Sequence, residues 1–137
     1  MNADKDIVFL HKELTEKIIG AAYDVHNALG YGFAEKVYEN TLAIELRKRG
    51  LSVEQQRPVK VYYEGAVVGN YVADVVVDNL VIVEIKAARR LISENEAQLL
   101  YYLRSTEIEV GLLLNFGRRV EVKRLAFSNN YKKPGGP

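Results

Sequence analysis

The strongest constraint on the fold lies between residues 71 and 87, where two apolar, β-branched runs flank an Asp-Asn pair. The runs are Tyr71-Val72-Ala73-Asp74-Val75-Val76-Val77 and Leu80-Val81-Ile82-Val83-Glu84-Ile85-Lys86-Ala87, with Asp78-Asn79 between them. Such runs around a turn pair form an antiparallel hairpin. Val75, Val77, Val81 and Val83 leave neither arm with the polar alternation of a solvated face, so both sides of the hairpin are apolar. Away from the turn only Asp74, Glu84 and Lys86 carry charge. A charge among buried strand residues needs a partner or a metal.

Register decides whether those charges meet. Side chains alternate along a strand, so Glu84 and Lys86 share a face. Asp74 joins them if it lies across from Glu84, which pairs Val77 with Val81 and leaves Asp78-Asn79-Leu80 as a three-residue turn. A two-residue turn at Asp78-Asn79 would put Asp74 opposite Val83 and send Glu84 to the other face. The three-residue turn, or a bulge with the same effect, is the expected solution. The competing account of Glu84 and Lys86 is an exposed ion-pair stripe, which would contribute little energetically.

A chain of 137 residues is one domain with room for a real core. The absence of Cys excludes disulfides, zinc ribbons and thiolate-held iron–sulfur clusters, and two His make a His-rich metal site a poor fit. The net charge of +1 exerts no overall pull on nucleic acid, yet basic residues cluster as Arg47-Lys48-Arg49, Arg89-Arg90, Arg118-Arg119, Lys123-Arg124 and Lys132-Lys133. Such pairs track a phosphate backbone locally or simply form a solvated face. No signal peptide or membrane-spanning run is visible, which points to a cytoplasmic protein and no membrane partner.

Residues 1–12 read as a flexible segment and 128–137 as a Gly/Pro/Lys tail around a single domain at 13–127. Leu14, Ile18, Ala21, Ala22, Val25 and Leu29 recur at helical spacing, with Thr15 as an N-cap and Gly30 as a stop. A second helix is expected at about 34–49. Strands follow at about 52–56, 58–64, 67–77 and 80–87. A helix opens with the capping-box pattern Ser93-Glu94-Asn95-Glu96 and runs to about Ser105, and strands at about 108–115 and 120–127 close the domain. The order α-α-β-β-β-β-α-β-β predicts an α/β sandwich with a mixed central sheet flanked by helices.

In this order of elements the chain resembles the PD-(D/E)XK phosphodiesterase superfamily, whose fold is restriction-endonuclease-like. It looks specifically like the GxxExxY family, whose motif stands here as Gly32-Phe33-Ala34-Glu35-Lys36-Val37-Tyr38. Val25-His26 with Leu29-Gly30, Val83-Glu84-Ile85-Lys86-Ala87, Glu96-Ala97-Gln98-Leu99-Leu100 and Gly111-Leu112-Leu113-Leu114-Asn115-Phe116-Gly117 match as well. The likeness spans roughly residues 13 to 127. One departure is Tyr31, where the family places Pro between the two glycines. The resemblance implies Glu35 from the first core helix, Asp74, Glu84 with Lys86, and a supporting Gln98 as catalytic residues. It implies a metal-dependent nuclease or nuclease-like phosphodiesterase acting on DNA or RNA.

The chemistry of the residues fits that implication. Mg²⁺, or Mn²⁺, takes oxygen ligands and keeps several waters. Asp74 and Glu84 offer carboxylates, Ile85 a carbonyl, and Glu35 a further carboxylate directly or through water. Lys86 is best suited to electrostatic stabilisation of a phosphate. Without metal, repulsion within the Asp74–Glu84 pair should raise at least one carboxyl pKa unless Lys86 compensates. Tyr38, Tyr102 and Arg89 are candidate substrate contacts, with packing the competing reading of both tyrosines. For Glu35 that competing reading is a helix-dipole carboxylate. His26 and Asn115 read as structural. Near-neutral charge and the lack of an accessory nucleic-acid-reading domain favour an alternative, a non-catalytic nucleic-acid- or protein-binding module of the same fold. Homodimerisation through an exposed helix or strand stays open.

Overall fold

A computed structural model describes residues 9–132. Its elements are α1 (Lys12–Leu29), α2 (Glu35–Lys48), β1 (Val53–Tyr63), β2 (Ala66–Val77), β3 (Val81–Lys86), α3 (Ser93–Arg104), β4 (Val110–Phe116) and β5 (Val120–Ala126), followed by one 3₁₀ turn, Asn129–Tyr131. The strands form one sheet in the order β1-β2-β3-β4-β5. All neighbours pair antiparallel except β3 and β4, which α3 connects as a parallel crossover. This mixed sheet between helices is the expected α/β sandwich.

The two faces of the sheet are covered by different helices. Ile18, Ala22 and Val25 of α1 and Tyr38, Leu42 and Leu46 of α2 pack on Val75, Val83, Ile85, Leu112 and Leu114. On the opposite face Leu99, Tyr102 and Leu103 of α3 pack on Val76, Ile82 and Leu113. Burial on both faces explains why β3 and β4 are continuous apolar runs. At Gly111 a Cβ would come within 2.7 Å of Leu99 Cδ1, so the missing side chain lets α3 lie close on β4.

Three expectations about the elements need correction. The strands expected at 52–56 and 58–64 are a single strand, because Gln55 and Arg57 pair with Val75 and Ala73 on either side of a left-handed Gln56. Pro58 is tolerated inside it because β1 lies at the sheet edge. Helix α1 also starts earlier than expected: His11, not Thr15, is its N-cap, and the Thr15 hydroxyl donates to the Lys12 carbonyl at 3.0 Å. In α3 the box is closed by Asn95, whose Oδ1 accepts from Ile92 N at 3.0 Å, rather than by Ser93 and Glu96.

At the ends, residues 1–8 and 133–137 of the expected flexible segments lie outside the described residues. Residues 129–132 are tied to the domain. Asn129 Nδ2 donates to the Glu107 carbonyl at 3.0 Å, and Lys132 Nζ donates to the carbonyls of Thr106 and Ile108 at 2.8 and 2.9 Å. These bonds satisfy main-chain acceptors left open between α3 and β4. Among the described residues no helix is long and apolar enough to cross a membrane.

Candidate active site

The hairpin turn places the charged residues. Asp78 and Asn79 both adopt positive φ, 52° and 57°, and Leu80 N donates to Val77 O at 2.9 Å. Short polar side chains tolerate that conformation best, and its twist suits a hairpin. Leu80 is the third connecting residue, and Val77 pairs with Val81, Val76 with Ile82 and Val75 with Val83. The ladder stops at Val75–Val83; Glu84 follows Ile82 onto the α3 side, and the alternation of β2 breaks at Asp74, since Ala73 packs with Val76 in the α3-side core.

Beyond Val75–Val83, side chains take over from the main-chain ladder. Asp74 N donates to Glu84 Oε1 at 3.2 Å, and Ile85 N donates to Asp74 Oδ2 at 2.9 Å. Glu84 is only 2% exposed, whereas Asp74 is half-buried and open to solvent. Burial first, and the Asp74 charge second, push the Glu84 carboxyl up to about 8. Burial also raises Asp74, against the opposing effects of the Ile85 N–H and the Lys86 charge. The expected repulsion within the pair is therefore present, and Lys86, though it favours both carboxylates, does not cancel it.

The acidic residue that α2 brings to the pair is Glu39, not Glu35. Glu35 is exposed at the start of α2 and, among the described residues, makes no hydrogen bond or ion pair with Asp74 or Glu84. Glu39, one turn on, is buried where α2 crosses β1. Its Oε1 accepts from Gln56 Nε2 at 2.8 Å, and its Oε2 accepts from Gln55 Nε2 at 2.7 Å and Lys36 Nζ at 3.1 Å. Gln56 Nε2 also reaches Asp74 Oδ1 at 3.5 Å, and the Glu39 charge helps to raise Asp74. The φ of 58° at Gln56, which costs about 1–2 kcal/mol for an L-residue, is held by these side-chain bonds. A sequence signal for Glu39 existed, since it precedes the buried Leu42, Ala43 and Leu46 at helical spacing. None existed for the conformation of Gln56.

From the α3 side, Gln98 Nε2 donates to the Tyr102 hydroxyl at 3.0 Å, and that hydroxyl donates to Val72 O at 3.3 Å. Burial, followed by the charge of Glu84, pushes the Tyr102 phenol up to about 12. Tyr102 thus adjoins the pair as a neutral donor, with Gln98 behind it. Tyr38 does not face the pair, contrary to its expected role at the substrate. It is fully buried, stacks on Phe116 at 4.6 Å and donates to the Gly30 carbonyl at 2.7 Å, which fixes the loop into α2. Arg89 lies past the end of β3, where Arg89, Arg90, Arg118, Arg119 and Glu121 line an open pocket of about 570 Å³. His26 and Asn115 are structural. His26 Nε2 donates to Gly117 O at 2.7 Å, and the Asn115 amide pairs with Ala88 N and O at 2.8 and 3.0 Å.

Among the described residues no group of three or more Asp, Glu or His side chains converges as a ready-made cation shell. The donor chemistry of the pair nevertheless fits a hard divalent cation, which is commonly held by one or two carboxylates and completes its shell with water. Two adjoining carboxyls, both held above their ordinary range, are short of positive charge.

A mixed sheet between helices, with an acidic pair and a lysine at the end of its central hairpin, defines a restriction-endonuclease-like α/β domain. The chain belongs to the PD-(D/E)XK nuclease superfamily, whose family model it matches over residues 12–125. No curated protein matches the sequence. Among solved structures, the crystal structure of SSO0001 superposes with a TM-score of 0.57 at 20% identity, over 90% of this chain and 62% of that one. That likeness shows a shared fold. The chain spans less than two thirds of the length of that structure.

Proposed function

We propose that this domain is a metal-dependent nuclease or nuclease-like phosphodiesterase of the GxxExxY family, hydrolysing phosphodiester bonds of DNA or RNA. The observation that carries the reading is the reciprocal clamp of Asp74 and Glu84, which fixes two carboxylates side by side with Lys86 on the same strand. The motif residues Gly32, Glu35 and Tyr38 support the family, with Tyr38 as its structural anchor.

Asp74, Glu84 and the Ile85 carbonyl would hold Mg²⁺ or Mn²⁺, which supplies charge stabilisation at the phosphoryl oxygen and a more acidic water. Lys86 neutralises the charge that grows on the phosphate in the transition state. Gln98, anchored on a Tyr102 hydroxyl whose own proton goes to Val72 O, would orient water or a phosphate oxygen beside the pair. Glu39 acts through Gln56, whose amide it aims at Asp74, and is a positioning residue.

The test is hydrolysis of single- and double-stranded DNA and RNA in Mg²⁺ or Mn²⁺, beside an Asp74→Ala/Glu84→Ala control. Cleavage that survives the double substitution removes the support. Among the described residues no third acid converges with the pair into a metal-holding group, which favours the second reading, a binding module of the same fold. Calorimetry with no Mg²⁺ or Mn²⁺ binding above the Asp74→Ala background would put that module first.

A further inference from the structure

The net charge of the whole chain is +1, yet the pocket beyond β3 brings four guanidiniums together with a single carboxylate. That carboxylate, Glu121, already accepts from Asn115 Nδ2 at 2.9 Å. Among the described residues none of the four arginines forms an ion pair with Asp or Glu. Like charges gathered this way raise the energy of the empty protein, and an anion relieves it.

The gathering is built into the fold. Arg89 and Arg90 follow β3, Arg118 and Arg119 form the β4–β5 turn, and the parallel register Lys86–Asn115 brings both segments to the same end of the sheet. The Asn115 amide pairs with the main chain of Ala88, and His26 holds the Gly117 carbonyl. At Gly117 a Cβ would lie 2.7 Å from Ala88 O, so only glycine allows the two segments to approach this closely. Arg118 also sits over the ring of Tyr31, 5.5 Å from its centroid, and that ring is 61% exposed.

We propose that Arg89, Arg90, Arg118 and Arg119, with Tyr31, form a subsite for a single-stranded nucleic-acid segment flanking the scissile phosphate. Guanidiniums take phosphate oxygens in bidentate fashion. A duplex keeps its bases stacked inside and leaves Tyr31 without a partner, whereas a single strand offers a base face to the ring. Arg89 is five residues past Glu84, at most about 17 Å of extended chain, which a strand covers in a few nucleotides. This inference rests on the nuclease reading for the place of the scissile phosphate, but its binding test is independent of catalysis.

Fluorescence anisotropy of the full chain in EDTA, with labelled twelve-nucleotide thymidine oligomers and a twelve-base-pair duplex, tests it. The wild type is expected to bind the single strand more tightly. Arg118→Ala/Arg119→Ala and Arg89→Ala/Arg90→Ala, all at exposed positions, should each weaken binding about tenfold or more and flatten the salt dependence by roughly 0.7 per lost phosphate contact. Tyr31→Ala should weaken the single strand about tenfold and leave the duplex unchanged. Equal binding of both forms with no effect of Tyr31→Ala overturns the single-strand subsite, and unchanged binding in both arginine variants overturns the pocket altogether. If those variants lose binding while the wild type cleaves nothing in Mg²⁺, the nuclease reading fails and the subsite stands. If the wild type cleaves and the arginine variants bind and cleave as it does, the reverse holds.

Discussion

Asp74 and Glu84 hold each other through the main chain: Glu84 Oε1 accepts from the Asp74 N–H, and Asp74 Oδ2 accepts from the N–H of Ile85. Each carboxylate stands where a ladder bond would otherwise be, so the point at which β2 and β3 part is also the point at which the acidic pair is fixed. A structural requirement, satisfying the parting N–H groups, and a functional one, orienting two acids, are met by the same two side chains.

Conservative neutralisation separates the two requirements. Asp74→Asn and Glu84→Gln keep an oxygen acceptor for the N–H groups. Both should fold, yet lower Mg²⁺-dependent hydrolysis about a hundredfold or more. Circular dichroism beside a cleavage assay checks both halves.

The raised carboxyl of Glu84 sets a pH dependence of stability. Unfolded, the group titrates near its ordinary 4.5; in the folded, metal-free protein it keeps its proton up to about 8. Between those values the unfolded state has lost a proton that the folded state retains. Stability is therefore full below about pH 4.5 and falls as pH rises toward 8, by at most about 1.4 kcal/mol per pH unit. Thermal melts in EDTA should show this fall. Glu84→Gln should flatten it, and Mg²⁺ at pH 8 should raise the wild-type Tm.

Glu39 and Glu35 should behave oppositely. Glu39→Ala removes the acceptor shared by Lys36 and the amides of Gln55 and Gln56, leaving Gln55 only Asn40 and Gln56 only the long contact to Asp74. It should cost about 1–3 kcal/mol in a urea titration. Glu35→Ala, at an exposed position, should cost less than about 1 kcal/mol.

Deleting Leu80 tests the register. With a two-residue turn β3 would slip by one position and carry Glu84 toward the α1 and α2 face. The variant should lose metal binding in calorimetry and melt well below the wild type.

Gly117→Ala would press a methyl group against a carbonyl oxygen that Asn115 pins in place. A loss of roughly 1–3 kcal/mol is expected. The melting temperature reports it.

The sequence alone settled the class of fold, the hairpin and its register, because an apolar run that is buried on both faces and interrupted by three charges leaves few ways to pair. Local chemistry was legible too: the αL-tolerant Asp78-Asn79 pair, the helix that opens at Ser93, and the alternation that puts Glu84 and Lys86 on one face. Tertiary structure alone decided which helix acid reaches the pair. Glu35 and Glu39 stand one turn apart near the start of α2, and only the crossing of that helix over Gln55 and Gln56 selects Glu39. It also decided that β1 runs on through a left-handed Gln56, because the side-chain bonds that hold this conformation come from residues 17 and 18 positions away in the chain. The arginine pocket has the same origin. Its two pairs are 29 residues apart in sequence and meet because β3 and β4 run parallel and end together, a relation that no local pattern in either segment encodes.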